Sequence, residues 1–86
     1  MKTLRGKLDK VSWLATGALI FFDGELYTVP KGSNEKAIGW LVLASEQGFP
    51  ITLEVDDDGV IRAATIVAEG HTLAFPLPSG KLTVSG

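Results

Sequence analysis

Apolar and polar residues alternate over most of this chain, and the alternation is interrupted at points marked by Gly, Pro or Asp. In "TLRGKLDK" (3–10), Leu4, Gly6 and Leu8 fall on one side and Thr3, Arg5, Lys7 and Asp9 on the other, the period of a half-buried strand. Its basic face is expected to meet water. Beyond Lys10 the phase becomes ambiguous, and Trp13-Leu14 suggests a bulge or bend before a new strand starts near Ala18.

The stretch "FFDGELYTVP" (21–30) reads as a β-hairpin over a two-residue Asp23-Gly24 turn of type I′, whose two positive φ angles suit Asp and Gly. That turn opposes Phe22 to Glu25, Phe21 to Leu26 and Ile20 to Tyr27. Cross-strand partners share a face, so Ile20, Phe22, Tyr27 and Val29 lie on one side and Leu19, Phe21 and Leu26 on the other. Both sides are apolar, whereas a strand pair with one wet face alternates with polar residues. One face is therefore expected to fill the core and the other to meet a partner.

A second turn, Asp57-Asp58-Gly59 in "ITLEVDDDGVIRAATIV", is expected to hold Gly59 in a left-handed conformation. A three-residue loop there pairs Val55 with Ile61 and Leu53 with Ala63 inward, and Glu54 with Arg62 outward. Between the two turns, 34–47 is ambiguous. Ser33 or Asn34 as a cap, Gly48 as a stop and Pro50 beyond it favour a helix. Gly39 in the interior and the run Trp40-Leu41-Val42-Leu43 favour a strand, and strand is the preferred expectation. The last third holds two short strands, about 72–75 and 81–85, at an edge because Pro76 and Pro78 cannot donate to a ladder. "LYTVPKG" (26–32) faintly echoes "AFPLPSG" (74–80), a likeness that turn chemistry alone explains.

Strands at this spacing predict an all-β fold: a small barrel or roll of about six to eight short antiparallel strands, SH3-like or OB-like. The 86 residues fit a single domain spanning 1–86. A chain of this size buries only about 60% of its unfolded surface. With 45% apolar residues, no cysteine and one histidine, association between copies is the natural source of further burial. The net charge of −2 gives no general attraction to nucleic acid or acidic lipid. It is unevenly spread: Lys2, Arg5, Lys7 and Lys10 crowd the start, and Glu54, Asp56, Asp57 and Asp58 one later turn, which predicts an electrically polar molecule. The opening mimics the basic start and apolar core of a secretory signal, but Asp9 interrupts it and no small-x-small site follows Phe22. A cytoplasmic protein is expected, without a membrane span, since the apolar stretch of about 12 residues falls short of the roughly 20 required.

Candidate chemistry is sparse. His71 near Glu69 lacks a third placed group, and none of the five serines lies in a Gly-x-Ser-x-Gly elbow. Gly80-Lys81 precedes Leu82 rather than Ser or Thr, so "PSGK" is no phosphate loop. Adjacent carboxylates in "DDDG" splay apart instead of converging on an ion. No catalytic residue, metal or cofactor is expected. The chain is expected to be a non-enzymatic interaction module, self-associating as a dimer or binding another protein through hairpin 18–30, with Phe22, Tyr27, Ile20 and Val29 at the interface and Tyr27 facing outward. The alternative is a nucleic-acid binder that stacks bases on Tyr27 beside Arg5 and Lys7, disfavoured by the absence of Lys or Arg from 11 to 30.

Overall fold

In the computed structural model, which describes residues 2–14, 17–30, 33, 35–77 and 83–85, the alternating segments form two antiparallel sheets and the ambiguous segment forms a helix. The strands are β1 (Lys2–Gly6), β2 (Lys10–Leu14), β3 (Gly17–Phe22), β4 (Glu25–Pro30), β5 (Ile51–Val55), β6 (Ile61–Ala68), β7 (His71–Pro76) and β8 (Thr83–Ser85), with α1 (Glu35–Gln47) between β4 and β5. One sheet has the order β1-β5-β6-β7-β8 and the other β2-β3-β4.

The hairpin β3–β4 follows its turn. Asp23 and Gly24 have φ of 52° and 78°, and the pairs Phe22–Glu25, Phe21–Leu26 and Ile20–Tyr27 form as the two-residue loop requires. β3 starts at Gly17, next to the expected Ala18, but regular β2–β3 pairing replaces the bulge expected at Trp13-Leu14. Trp13 lies within β2, and the chain turns at residues 7–9, where Lys7 to Asp9 carry it from the five-stranded sheet into the three-stranded one. Gly6 has a φ of 150°, and a Cβ built there would stand 3.3 Å from Cζ of Phe22, so both backbone and space favour glycine at this crossing.

The segment 35–47 is helical, correcting the strand preference. Ala37, Ile38, Leu41 and Ala44 are its buried residues, a helix-period stripe that packs toward β2 and β6. Trp40, Val42 and Leu43 flank that stripe and made the run look uniformly apolar. Gly48, at φ 71°, ends the helix, with its own N–H and that of Phe49 both donating to the Ala44 carbonyl. Asn34, one of the two expected caps, lies outside the described residues.

The acidic turn is also corrected. Gly59 is left-handed, at φ 78°, and Val55 pairs with Ile61. A register shift between Glu54 and Val55 then pairs Glu54 with Ala63 and Leu53 with Ala64, leaving Arg62 as the extra residue of a bulge. The expected Glu54–Arg62 and Leu53–Ala63 pairs do not form. Arg62 turns instead to Asp56, with Nε 2.9 Å and Nη2 2.8 Å from Oδ2.

The core lies between the sheets and the helix. Ala18, Ile20, Phe22, Tyr27 and Val29 enter it from the three-stranded sheet, and Leu53, Val55, Ile61, Ile66, Phe75 and Leu77 from the other side. At the edge, β8 pairs with β7 through residues 72–74, leaving Pro76 beyond the ladder, opposite Ala63 on β6. Pro78 and the ends of the expected 26–32/74–80 echo, residues 31–32 and 78–80, fall outside the described residues. Superposing the two I′ turns, Asp23-Gly24 on Glu69-Gly70 (φ 50° and 87°), instead aligns buried Ala18 with Ala64, Ile20 with Ile66 and Val29 with Phe75. The likeness lies in turn type and alternation, in a different register from the echo. No helix among the described residues is long and apolar enough to cross a membrane.

Candidate functional site

The hairpin presents a different face from the one expected. Ile20, Phe22, Tyr27 and Val29 are all buried within the single chain, at 0–7% exposure. The outward face carries Leu19 and Phe21, half-buried, and Leu26, which is 53% exposed. Tyr27 therefore faces inward and not outward, although Glu25 on the same face is awkward to bury. The strand end resolves this: Glu25 is exposed beside the turn, and the Tyr27 hydroxyl donates to its Oε2 at 2.6 Å. That hydrogen bond, then partial burial, raises the Tyr27 pKa above its usual value. Lys2 approaches the same pair, 3.8 Å from Glu25 Oε2 and 6.0 Å from the Tyr27 ring centre. The turn is braced from β2's approach, where Asp9 N–H donates to the Phe21 carbonyl and its carboxylate accepts from Gly24 N–H at 3.3 Å.

Cross-strand pairing sets what surrounds the outward apolar face. Lys10 lies opposite Phe21, which lies opposite Leu26, and Ser12, Leu19 and Thr28 form the next row. The residues expected to hold nucleic acid are not assembled. Tyr27 is buried, Arg5 pairs with Thr52 on the outer face of the five-stranded sheet, and Lys7 lies in the link between sheets. Nor are the two charge clusters distant poles, because β1 pairs with β5 and sets Thr3 opposite Glu54.

The acidic turn is organised around Asp56. Its Oδ1 accepts the N–H groups of Asp58 and Val60 at 2.9 and 3.0 Å, while Oδ2 accepts from Arg62. The Val60 hydrogen bond first, and then Arg62 and Asp58, lower its pKa against the opposing effect of desolvation. No group of three or more His, Asp or Glu side chains able to hold a metal occurs among the described residues.

A second concave surface was not legible in the sequence. Trp40, Leu43 and Gln47 on α1 face Glu69, His71 and Val84 across an open groove of about 640 Å³. Phe49, just past the helix, and Leu73 add apolar wall. The helical spacing 40, 43, 47 is the available signal, and the strand-favouring run Trp40-Leu41-Val42-Leu43 masks it. His71 and Glu69 thus do share a site, at the I′ turn between β6 and β7. Comparison with known proteins finds no family model, no curated protein and no solved structure that matches this chain.

Proposed function

We propose that this chain is a non-enzymatic binding module with an OB-like strand order, which self-associates through the outward face of hairpin β3–β4. The observation that carries the reading is the row Phe21–Leu26, continued by Leu19, an apolar strip on the solvent side of a sheet whose opposite side is already filled by core. Contiguous apolar surface of this kind marks contact sites on small proteins.

What supports the OB-like order is the way the two sheets meet. Thr28 of β4 forms a parallel bridge with Val60, just before β6, and its N–H donates to the Gly59 carbonyl at 3.0 Å. At the other side β1 leads into β2 within three residues. Taking β1 and β2 as one bent strand, and setting aside β7 and β8, which extend the sheet from the edge of β6 beyond that single bridge, the order β2-β3-β4, β6-β5-β1 returns to its start, as in a partly open five-stranded Greek-key barrel. In that architecture, ligands dock on the second and third strands, here β3 and β4.

Sedimentation velocity over a concentration series tests the reading. The wild type should associate, and Leu26→Glu should abolish association, because a carboxylate buried at an interface loses its hydration without gaining a partner. A wild type that stays monomeric at high micromolar concentration would overturn it. Salt-sensitive binding of single-stranded oligonucleotide, lost on Lys10→Ala, would instead assign this face to nucleic acid.

A further inference from the structure

The groove beneath α1 lies away from the β3–β4 face and carries its own chemistry. Leu43 and Val84, 36% and 57% exposed, are two of the large apolar side chains left open to solvent, and both line it. Trp40 and Phe49 add two aromatic rings, each half-buried against the core and half open. Its volume of about 640 Å³ lies within the range of small-molecule sites, roughly 300–1,000 Å³. Such sites combine apolar walls with a few polar groups that orient the ligand.

Three features give the groove one electrostatic sign. Among the described residues, Glu69 is the only carboxylate that lines it, and no lysine or arginine does. Gln47 is the last residue of α1, so the groove opens at the helix C-terminus, where the macrodipole is negative, and no basic residue in the last turn offsets it. The faces of Trp40 and Phe49 attract cations through their quadrupoles. An anionic ligand meets repulsion here, and a neutral hydrocarbon leaves the Glu69 carboxylate partly desolvated without a partner.

We infer that this groove binds a small amphipathic organic cation, an ammonium or quaternary ammonium head on an aliphatic or aromatic body. The head sits between Glu69 and the aromatic rings, while the body lies on Leu43, Leu73 and Val84. Gln47 and His71 supply hydrogen-bonding groups at the rim.

The test uses the full chain carrying Trp13→Phe, so that Trp40 is the sole tryptophan, and follows its fluorescence on titration with hexyltrimethylammonium below its micellar range. Isothermal calorimetry on the wild type provides a second readout. The expected result is saturable binding, no comparable binding of hexanoate, and a loss of about tenfold in affinity on Glu69→Gln, which keeps the side-chain shape and removes the charge. Glu69 is exposed at a turn, so this variant should fold, and circular dichroism checks that it does. Absence of saturable binding at millimolar concentration, equal binding of hexanoate, or an unchanged affinity in Glu69→Gln each overturns the inference. Repeating the titration with Leu26→Glu separates this site from the hairpin face, since that substitution should leave the affinity unchanged.

Discussion

At the scale of single residues, Asp56 does the most local organising. Its carboxylate accepts two backbone N–H groups of its own turn, and it holds Arg62 where a bulge has turned that side chain away from the ladder. Because the folded state depresses its pKa, its contribution is present above the unfolded value and is lost as pH falls through the lower folded one. Asp56→Asn should therefore lower the urea midpoint at neutral pH, and the gap from wild type should narrow on titration toward about pH 2. A gap that stays constant would mean the turn does not depend on the carboxylate charge. The neighbouring Gly59, at φ 78° with open space around it, isolates backbone strain from crowding. Gly59→Val should cost about 1–2 kcal/mol in equilibrium unfolding, the penalty of a left-handed conformation for a side chain branched at Cβ.

At the scale of elements, α1 shows how packing settles a segment whose propensities conflict. Gly39 lies inside it, is exposed, and a Cβ there would meet nothing within 4 Å. Gly39→Ala should therefore stabilise the protein by about 1 kcal/mol, the difference in helix propensity, as read from the shift in denaturation midpoint. No gain, or a loss, would show that the helix does not persist across that position. The β3–β4 hairpin is the contrasting case. Its turn and its register both follow from Asp23-Gly24 and from strict alternation, interactions that reach only across the two strands.

At the scale of the whole molecule, the two sheets and the helix close over one core, and this closure decides which apolar face of the hairpin is left outside. Two substitutions on opposite faces separate folding from association. Ile20→Ala, at a fully buried position, should cost about 2–5 kcal/mol of stability with association retained wherever the protein stays folded. Leu26→Glu, 53% exposed in the single chain, should leave strand content intact and change only the association state. If circular dichroism shows Leu26→Glu unfolding the isolated chain, the outward face is part of the fold and is not a docking surface. The pairing of β1 with β5 also brings the basic start beside the acidic strand, so charge separated along the sequence is interleaved in space.

The sequence by itself determined what depends on neighbours a few residues apart. The I′ turn at Asp23-Gly24, the three pairs beside it, the shared face of Ile20, Phe22, Tyr27 and Val29, and the left-handed Gly59 are all local consequences of chain geometry and alternation. Tertiary structure decided what depends on distant groups competing for the same space. Both hairpin faces are apolar, so only the arrival of the second sheet and α1 selected Tyr27 for the interior and Leu26 for solvent. Residues 35–47 carry signals for helix and strand alike, and burial of Ala37, Ile38, Leu41 and Ala44 against strands from both sheets favoured the helix. The groove of Trp40, Phe49, Glu69 and Val84 joins side chains from separate elements, and no local pattern encodes such a surface. Local geometry is written residue by residue, whereas a choice between comparably apolar alternatives is made only when the core closes.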